Sequence, residues 1–302
     1  MGSRLRRRKA DSTTRRMVGV CLWGFGYLPG MTQRCTLRLT FLAAACLAGV
    51  LALPAVAPAH QRATLDGGVL TITGDYPSSG GEGVPSPAGT PKPNDLITLT
   101  YDASRNELVV GNDVFGAHPP ECRDDAVNPL RVIHCPASLI SVIRINAGIG
   151  TDRVTADVPA PIEADLGEGV DSFKGGVEAD TVLGGTGTDK AELGGGNDSA
   201  SMGSDSDKVF LGAGDDSASL GGGSDKAYLG GGSDEAKMGG GSDQAFGGGG
   251  GDTIKGNGGS DKLYGEGGAD SLFGAGGADQ LFGGGGNDDC VAGPGSGKTA
   301  SC

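Results

Sequence analysis

Aspartate recurs at every ninth residue from Asp171 to Asp288: Asp171, Asp180, Asp189, Asp198, Asp207, Asp216, Asp225, Asp234, Asp243, Asp252, Asp261, Asp270, Asp279 and Asp288. Glycine-rich turns precede them, as in Gly247-Gly248-Gly249-Gly250-Gly251-Asp252. Carboxylates beside turns that expose their own carbonyls are hard oxygen donors, and that donor set selects calcium. A period kept without insertion over this span means stacked structural repeats.

The unit reads G-G-x-G-x-D-x-U-x, with U apolar. Its last three positions allow only a brief strand, and its glycines supply turns with positive φ. One nonapeptide cannot close on itself, so a coil takes two units and Asp n stacks on Asp n+18. Stacked strands lie about 4.8 Å apart. Carboxylates at that spacing repel one another unless a cation lies between them.

The ninth positions test the eighteen-residue coil. One series of units ends in Phe210, Tyr228, Phe246, Tyr264 and Phe282, and the intervening units end in Ser201, Ser219, Lys237, Lys255 and Phe273. Lys190, Lys208, Lys226 and Lys262 fall in the aromatic series as well. Strand alternation turns positions seven and nine outward and position eight inward. The inward residues trade places along the array. Toward the C-terminus position eight is large (Ile254, Leu263, Leu272, Leu281) and the residue two further on is Gly. In the middle position eight is Ala, and Leu193, Met202, Leu220, Leu229 and Met238 follow two residues later. Such a thin core does not offset ordering costs of roughly 1–2 kcal/mol per residue.

These units resemble the haemolysin-type (RTX) calcium-binding nonapeptide repeats, over residues 147–155 and 166–291. The resemblance implies an all-β fold, a parallel β-roll (a right-handed β-solenoid with two nonapeptides per coil) preceded by a small irregular β region. It implies that the fourteen aspartates ligate multiple Ca²⁺ ions with turn carbonyls. Glu178 and Asp205 depart from the motif at its fourth position, and the units around Asp243–Asp288 fit it best.

Residues 1–59 hold nine of the 24 Lys and Arg and one of the 37 Asp and Glu, so the remainder carries 15 positive against 36 negative side chains. A body of that charge repels nucleic acid and anionic lipid and attracts cations. The apolar run Leu39–Ala57 behind Arg34 and Arg38, with Ala57-Pro58-Ala59 before His60, reads as a signal peptide within a leader at 1–59. Translation starting at Met31 would shorten that leader to ordinary length. A retained membrane anchor is the rival reading, which Pro54 and the missing basic flank oppose. After cleavage the chain is secreted, with no membrane association.

Cys122, Cys135, Cys290 and Cys302 then remain, an even number that favours two disulfides. Three connectivities are open, and the local pairs each close a short loop. The organisation expected is a small β region at 60–145 with a Pro/Gly-rich loop at 76–94, the roll at 146–289 and a C-terminal cap at 290–302. Gly148–Val154 looks like a first repeat, out of phase with the others.

No enzyme is expected. His60, His118 and His134 are scattered without a nucleophile or metal signature. Ala292–Thr299 resembles a phosphate-binding loop but has no room for the helix such a loop needs. Two functions remain: an exported calcium-binding protein that folds on the ion, or a structural, adhesive surface protein whose Lys/aromatic face binds glycan or a partner protein.

Overall fold

The computed structural model describes residues 60–76, 94–111, 119–124, 132–295, 299–300 and 302. The leader, the loop at 77–93 and His118 lie outside the described residues. Apart from a single 3-10 turn at Ala137–Leu139, every described element is a strand.

β1 (His60–Asp66) and β2 (Val69–Tyr76) form an antiparallel hairpin, and β3 (Leu96–Asp102) pairs antiparallel with β4 (Glu107–Gly111). β5 (Arg123–Asp124) and β6 (Val132–Pro136) extend that meander, and Cys122–Cys135 ties it. From there every pairing is parallel. β2 lies beside β7 (Val142–Asn146), and β3 beside β8 (Arg153–Asp157). The 60–145 region is therefore built on the same two sheets as the repeats: among the described residues each holds 13 strands and runs without a break from the hairpin or meander to the C-terminal end. The antiparallel strands cap the stack.

The chain alternates between the two sheets, so each strand meets the one eighteen residues away. Lys190 aligns with Lys208, Lys208 with Lys226, and Ser199 with Ser217. The architecture is a parallel β-roll with two nonapeptides per coil. At the far end the strand Thr299–Ala300 pairs with Leu281 and Phe282, while Cys290, on the last strand of the other sheet, bonds Cys302. The disulfide thus bridges the ends of both sheets, and Thr299, the last residue of the Ala292–Thr299 segment, opens a strand rather than a helix. Capping hides edges that would otherwise recruit another chain.

The core lies between the sheets. Ala191, Val209, Ala227, Ala245, Leu263 and Leu281 enter from one side, and Val182, Ala200, Ala218, Ala236, Ile254 and Leu272 from the other, all buried. The trade in volume read from the sequence is real: Leu193, Met202, Leu220, Leu229 and Met238 are also buried. The two arrangements meet at Ala245 and Gly247, where both inward positions are small. Leu263, packed just beyond this thin point, is a sensitive place. Leu263→Ala is expected to lower stability by about 2–5 kcal/mol in denaturant unfolding with calcium present. Lys262→Ala, on the exposed face, should stay within about 0.5 kcal/mol.

The aromatic series stacks outside this core. Phe210, Tyr228, Phe246, Tyr264 and Phe282 follow one another at centroid distances of 4.7, 5.0, 4.9 and 4.9 Å, with interplanar angles of 9° or less. Lys208 Nζ lies 4.7 Å from the Phe210 ring centroid and Lys226 Nζ 5.2 Å from that of Tyr228. The ring faces are spent on each other, so the surface they show is a row of edges.

Candidate metal sites

Strand alternation ends each unit at a turn, and the turn brings its aspartate inside. Asp171 through Asp279 are 0–4% exposed, and Asp288, in the last unit, is half-buried. The two carboxylate oxygens do different work. Oδ1 accepts a hydrogen bond from the backbone N–H of the aspartate eighteen residues earlier: Asp180 N–H to Asp198 Oδ1 (2.7 Å), Asp234 N–H to Asp252 Oδ1 (2.9 Å), Asp252 N–H to Asp270 Oδ1 (2.9 Å). Oδ2 is buried without a hydrogen-bond donor at Asp171, Asp189, Asp198, Asp207, Asp216, Asp225, Asp234, Asp243, Asp252, Asp261, Asp270 and Asp279.

Buried carboxylate oxygens without donors carry a large desolvation penalty. Burial is the largest influence on Asp171, Asp216, Asp225, Asp243 and Asp252 and raises them above the ordinary aspartate value. Asp189, Asp198 and Asp207 are pushed up to about 7, and Asp180, Asp234 and Asp261 to about 6, with neighbouring acids adding to the effect.

Where position one of a unit is glycine, a space remains beside Oδ2. A methyl group on Gly247 would lie 2.5 Å from Asp252 Oδ2 and 2.5 Å from the carbonyl oxygen of Gly265 on the next coil. The first-position glycine therefore keeps room between a carboxylate oxygen and a carbonyl oxygen, an all-oxygen set suited to calcium. Another steric demand falls on Gly241, where φ is 144° and a side chain would strike the Gly223 carbonyl of the preceding coil. Asn257, Glu266 and Ala275 hold second-position φ values of 70°, 71° and 69° without being glycine. Left-handed backbone costs such residues roughly 1–2 kcal/mol each.

The family model for RTX calcium-binding nonapeptide repeats matches four stretches of the chain, at residues 165–200, 203–236, 239–272 and 264–297. Residues 165–297 are RTX calcium-binding repeats. No curated protein and no solved structure matches the chain. All fourteen of the aspartates singled out above sit within the RTX segment, seven stacked along each edge of the roll. Asp205, at an irregular fourth position, keeps φ at 76° and accepts from Gly187 N–H at 3.2 Å.

Two features escaped the sequence reading. The first is a second polar ladder outside the RTX aspartates, at the fifth position. Asp215 N–H donates to Asn197 Oδ1 (3.1 Å), Ser224 N–H to Ser206 Oγ (3.0 Å) and Ser233 N–H to Asp215 Oδ1 (2.8 Å). These bonds run opposite to the aspartate bonds, so these pairs of turns are tied in both directions. The run of Asn, Ser and Asp at the fifth position was the available signal. The second feature is that Asp95 continues the ladder on one edge, beyond the out-of-phase first repeat at Gly148–Val154: Asp152 N–H donates to Asp171 Oδ1 and Asp95 N–H to Asp152 Oδ1.

Proposed function

We propose that this is an exported, non-enzymatic calcium-binding protein whose roll becomes ordered when the ion binds. The observation that carries the reading is the stack of buried Oδ2 atoms that accept no hydrogen bond at twelve of the aspartates, with a carbonyl of the next coil beside them at Asp189, Asp252, Asp261, Asp270 and Asp279. In this reading Asp171, Asp180, Asp189, Asp198, Asp207, Asp216, Asp225, Asp234, Asp243, Asp252, Asp261, Asp270, Asp279 and Asp288 are the carboxylate ligands. Calcium supplies the positive charge that the ladders lack. The chain's own residues do the rest: glycines such as Gly184, Gly247, Gly256, Gly265 and Gly274 keep space beside the carboxylates of their units, Oδ1 atoms fix the carboxylates through backbone N–H bonds, and the fifth-position ladder holds register.

Ion binding and folding are then one event, because the site does not exist in the unfolded chain. Affinities of about 10⁻⁴–10⁻³ M, those of extracellular modules, would keep the protein unfolded in a calcium-poor cytoplasm and ordered outside. The signal-like leader, the two disulfides and the acidic body support export. No described helix is long and apolar enough to cross a membrane.

A glycan-binding or adhesive role for the Lys/aromatic face is the other reading. Sugar rings stack on aromatic faces, and the faces of Tyr228, Phe246 and Tyr264 are already covered by their neighbours, which favours a stabilising role for that row.

Calcium titration of the oxidised chain from His60 onward, followed by far-UV circular dichroism, tests the main reading. β signal should rise cooperatively with calcium and remain unchanged with equimolar magnesium. Full β signal in the presence of chelator, or an equal response to magnesium, refutes ion-coupled folding.

A further inference from the structure

On one edge of the roll the aspartate ladder outruns the nine-residue period. Asp152 N–H donates to Asp171 Oδ1 at 2.7 Å, and Asp95 N–H donates to Asp152 Oδ1 at 2.6 Å. The fifth-position tie is repeated as well. Thr151 N–H donates to Asn94 Oδ1 at 3.0 Å, as Asp215 N–H does to Asn197 Oδ1. After Asp95 the chain enters β3, where Leu96 aligns with Arg153 and buried Ile97 with buried Val154. Those are the alignments of positions seven and eight in a regular unit.

The opposite half of this turn comes from β2. Thr73 aligns with Asn146, which sets Gly74 level with Ala147, the first position of the Asp152 unit. A methyl group on Gly74 would overlap Asp95 Oδ2 and lie 2.6 Å from the Ala147 carbonyl oxygen. This is the arrangement at Gly247, Asp252 and Gly265. Gly74 and Asp95 therefore stand where positions one and six of a repeat stand, although residues 75–94 separate them in the sequence.

We infer that Gly74, Asp95 and Ala147 form a further calcium site, in a turn of the roll that an insertion has split. Asp95 supplies carboxylate oxygen, Ala147 supplies carbonyl oxygen, and Gly74 keeps the cradle open. Asp95 and Asp152 are 4% and 2% exposed, so the oxygens are held away from bulk water as in the regular turns. Among the described residues the other edge has no such extension. There Ile162 N–H donates to Asp180 Oδ1, and Ile162 has no carboxylate to pass the ladder on. An ion at Asp95 would link β2 and β3 to the first regular coil, so the disulfide-tied cap would share the calcium dependence of the repeats. The inference rests on the regular turns being calcium sites, and its test separates the two claims.

Crystals of the full chain grown with calcium, measured for anomalous scattering, should show an ion between Asp95 Oδ2 and the Ala147 carbonyl as well as at the regular turns. Ions at Asp252 and Asp270 but none at Asp95 would overturn this inference alone. No ion at any turn would overturn the calcium reading itself. In solution, Asp95→Asn keeps the side-chain oxygen and removes the charge. By native mass spectrometry it should lose about one calcium per chain relative to wild type, with the β signal retained. Unchanged stoichiometry in a folded variant also overturns the inference. Should Asp95→Asn fail to fold, the anomalous map of the wild-type protein still decides.

Discussion

Replacing Asp234, Asp252 and Asp270 together by Asn is expected to make the calcium-free protein more folded and the calcium-loaded protein less stable. The three stack on one edge, and Oδ1 of Asp234, Asp252 and Asp270 accepts from the N–H of Asp216, Asp234 and Asp252 respectively. Asn keeps that acceptor. Its amide nitrogen takes the place of Oδ2 and can donate to the first-position carbonyl of the next coil, which at Asp252 is Gly265. Each substitution thus removes a buried negative charge and satisfies the group beside it, while deleting an ion ligand.

Effective penalties for buried unpaired charges run to several kcal/mol each, so the ion-free gain should reach at least a few kcal/mol in total. Loss of ligands should weaken calcium binding on that edge by at least ~10-fold. Circular dichroism in chelator and calcium-binding isotherms would check both arms. A variant as disordered as wild type in chelator, folding at the wild-type calcium concentration, sinks the electrostatic account.

The ion-free roll should also respond to pH in the opposite sense to most proteins. Burial first, and then the charges of neighbouring acids, raises Asp189, Asp198 and Asp207 to about 7 and Asp180, Asp234 and Asp261 to about 6, from an ordinary value of 3.8. Between about pH 4 and pH 7 the folded chain therefore holds more protons than the unfolded chain. The stabilisation is full below pH 4 and is lost as pH rises through 6 and 7. Because the ladder is coupled, it should titrate as a set rather than residue by residue.

Calcium reverses the sign, since its ligands bind it only when deprotonated. In chelator the β signal should be greater at pH 5 than at pH 7.5, and in millimolar calcium the melting temperature should be lower at pH 5 than at pH 7.5. A β signal in chelator that is flat or rising from pH 5 to pH 7.5 would contradict the burial of charged Oδ2 atoms.

Much of the roll was legible because its period repeats a local rule. Nine residues can build only one turn and one short strand, and alternation then assigns position eight to the core, as Leu263, Ala227 and Ile254 bear out. The Phe210–Phe282 series at every eighteenth residue disclosed the coil, since side chains so far apart can be alike for a shared reason only if they touch. Its orientation was not legible. Whether a row of rings presents faces or edges depends on how strands about 4.8 Å apart pack their side chains, and face-to-face stacking left the edges outward.

The sequence by itself determined the aspartate ladder, the two-unit coil and the hard-oxygen chemistry, because each follows from residue type at fixed spacing along one chain. Only the tertiary structure decided how far the ladder extends. Asp95 has no period around it, and Gly74 is separated from it by residues 75–94, so nothing local marks them as one turn. They become one because β2 and β3 dock in parallel register on β7 and β8, and that register is set by burying Ile72, Ile97, Ile145 and Val154 in the common core. The same docking made the 60–145 region the first coil and cap of the roll, where composition alone suggested a separate piece.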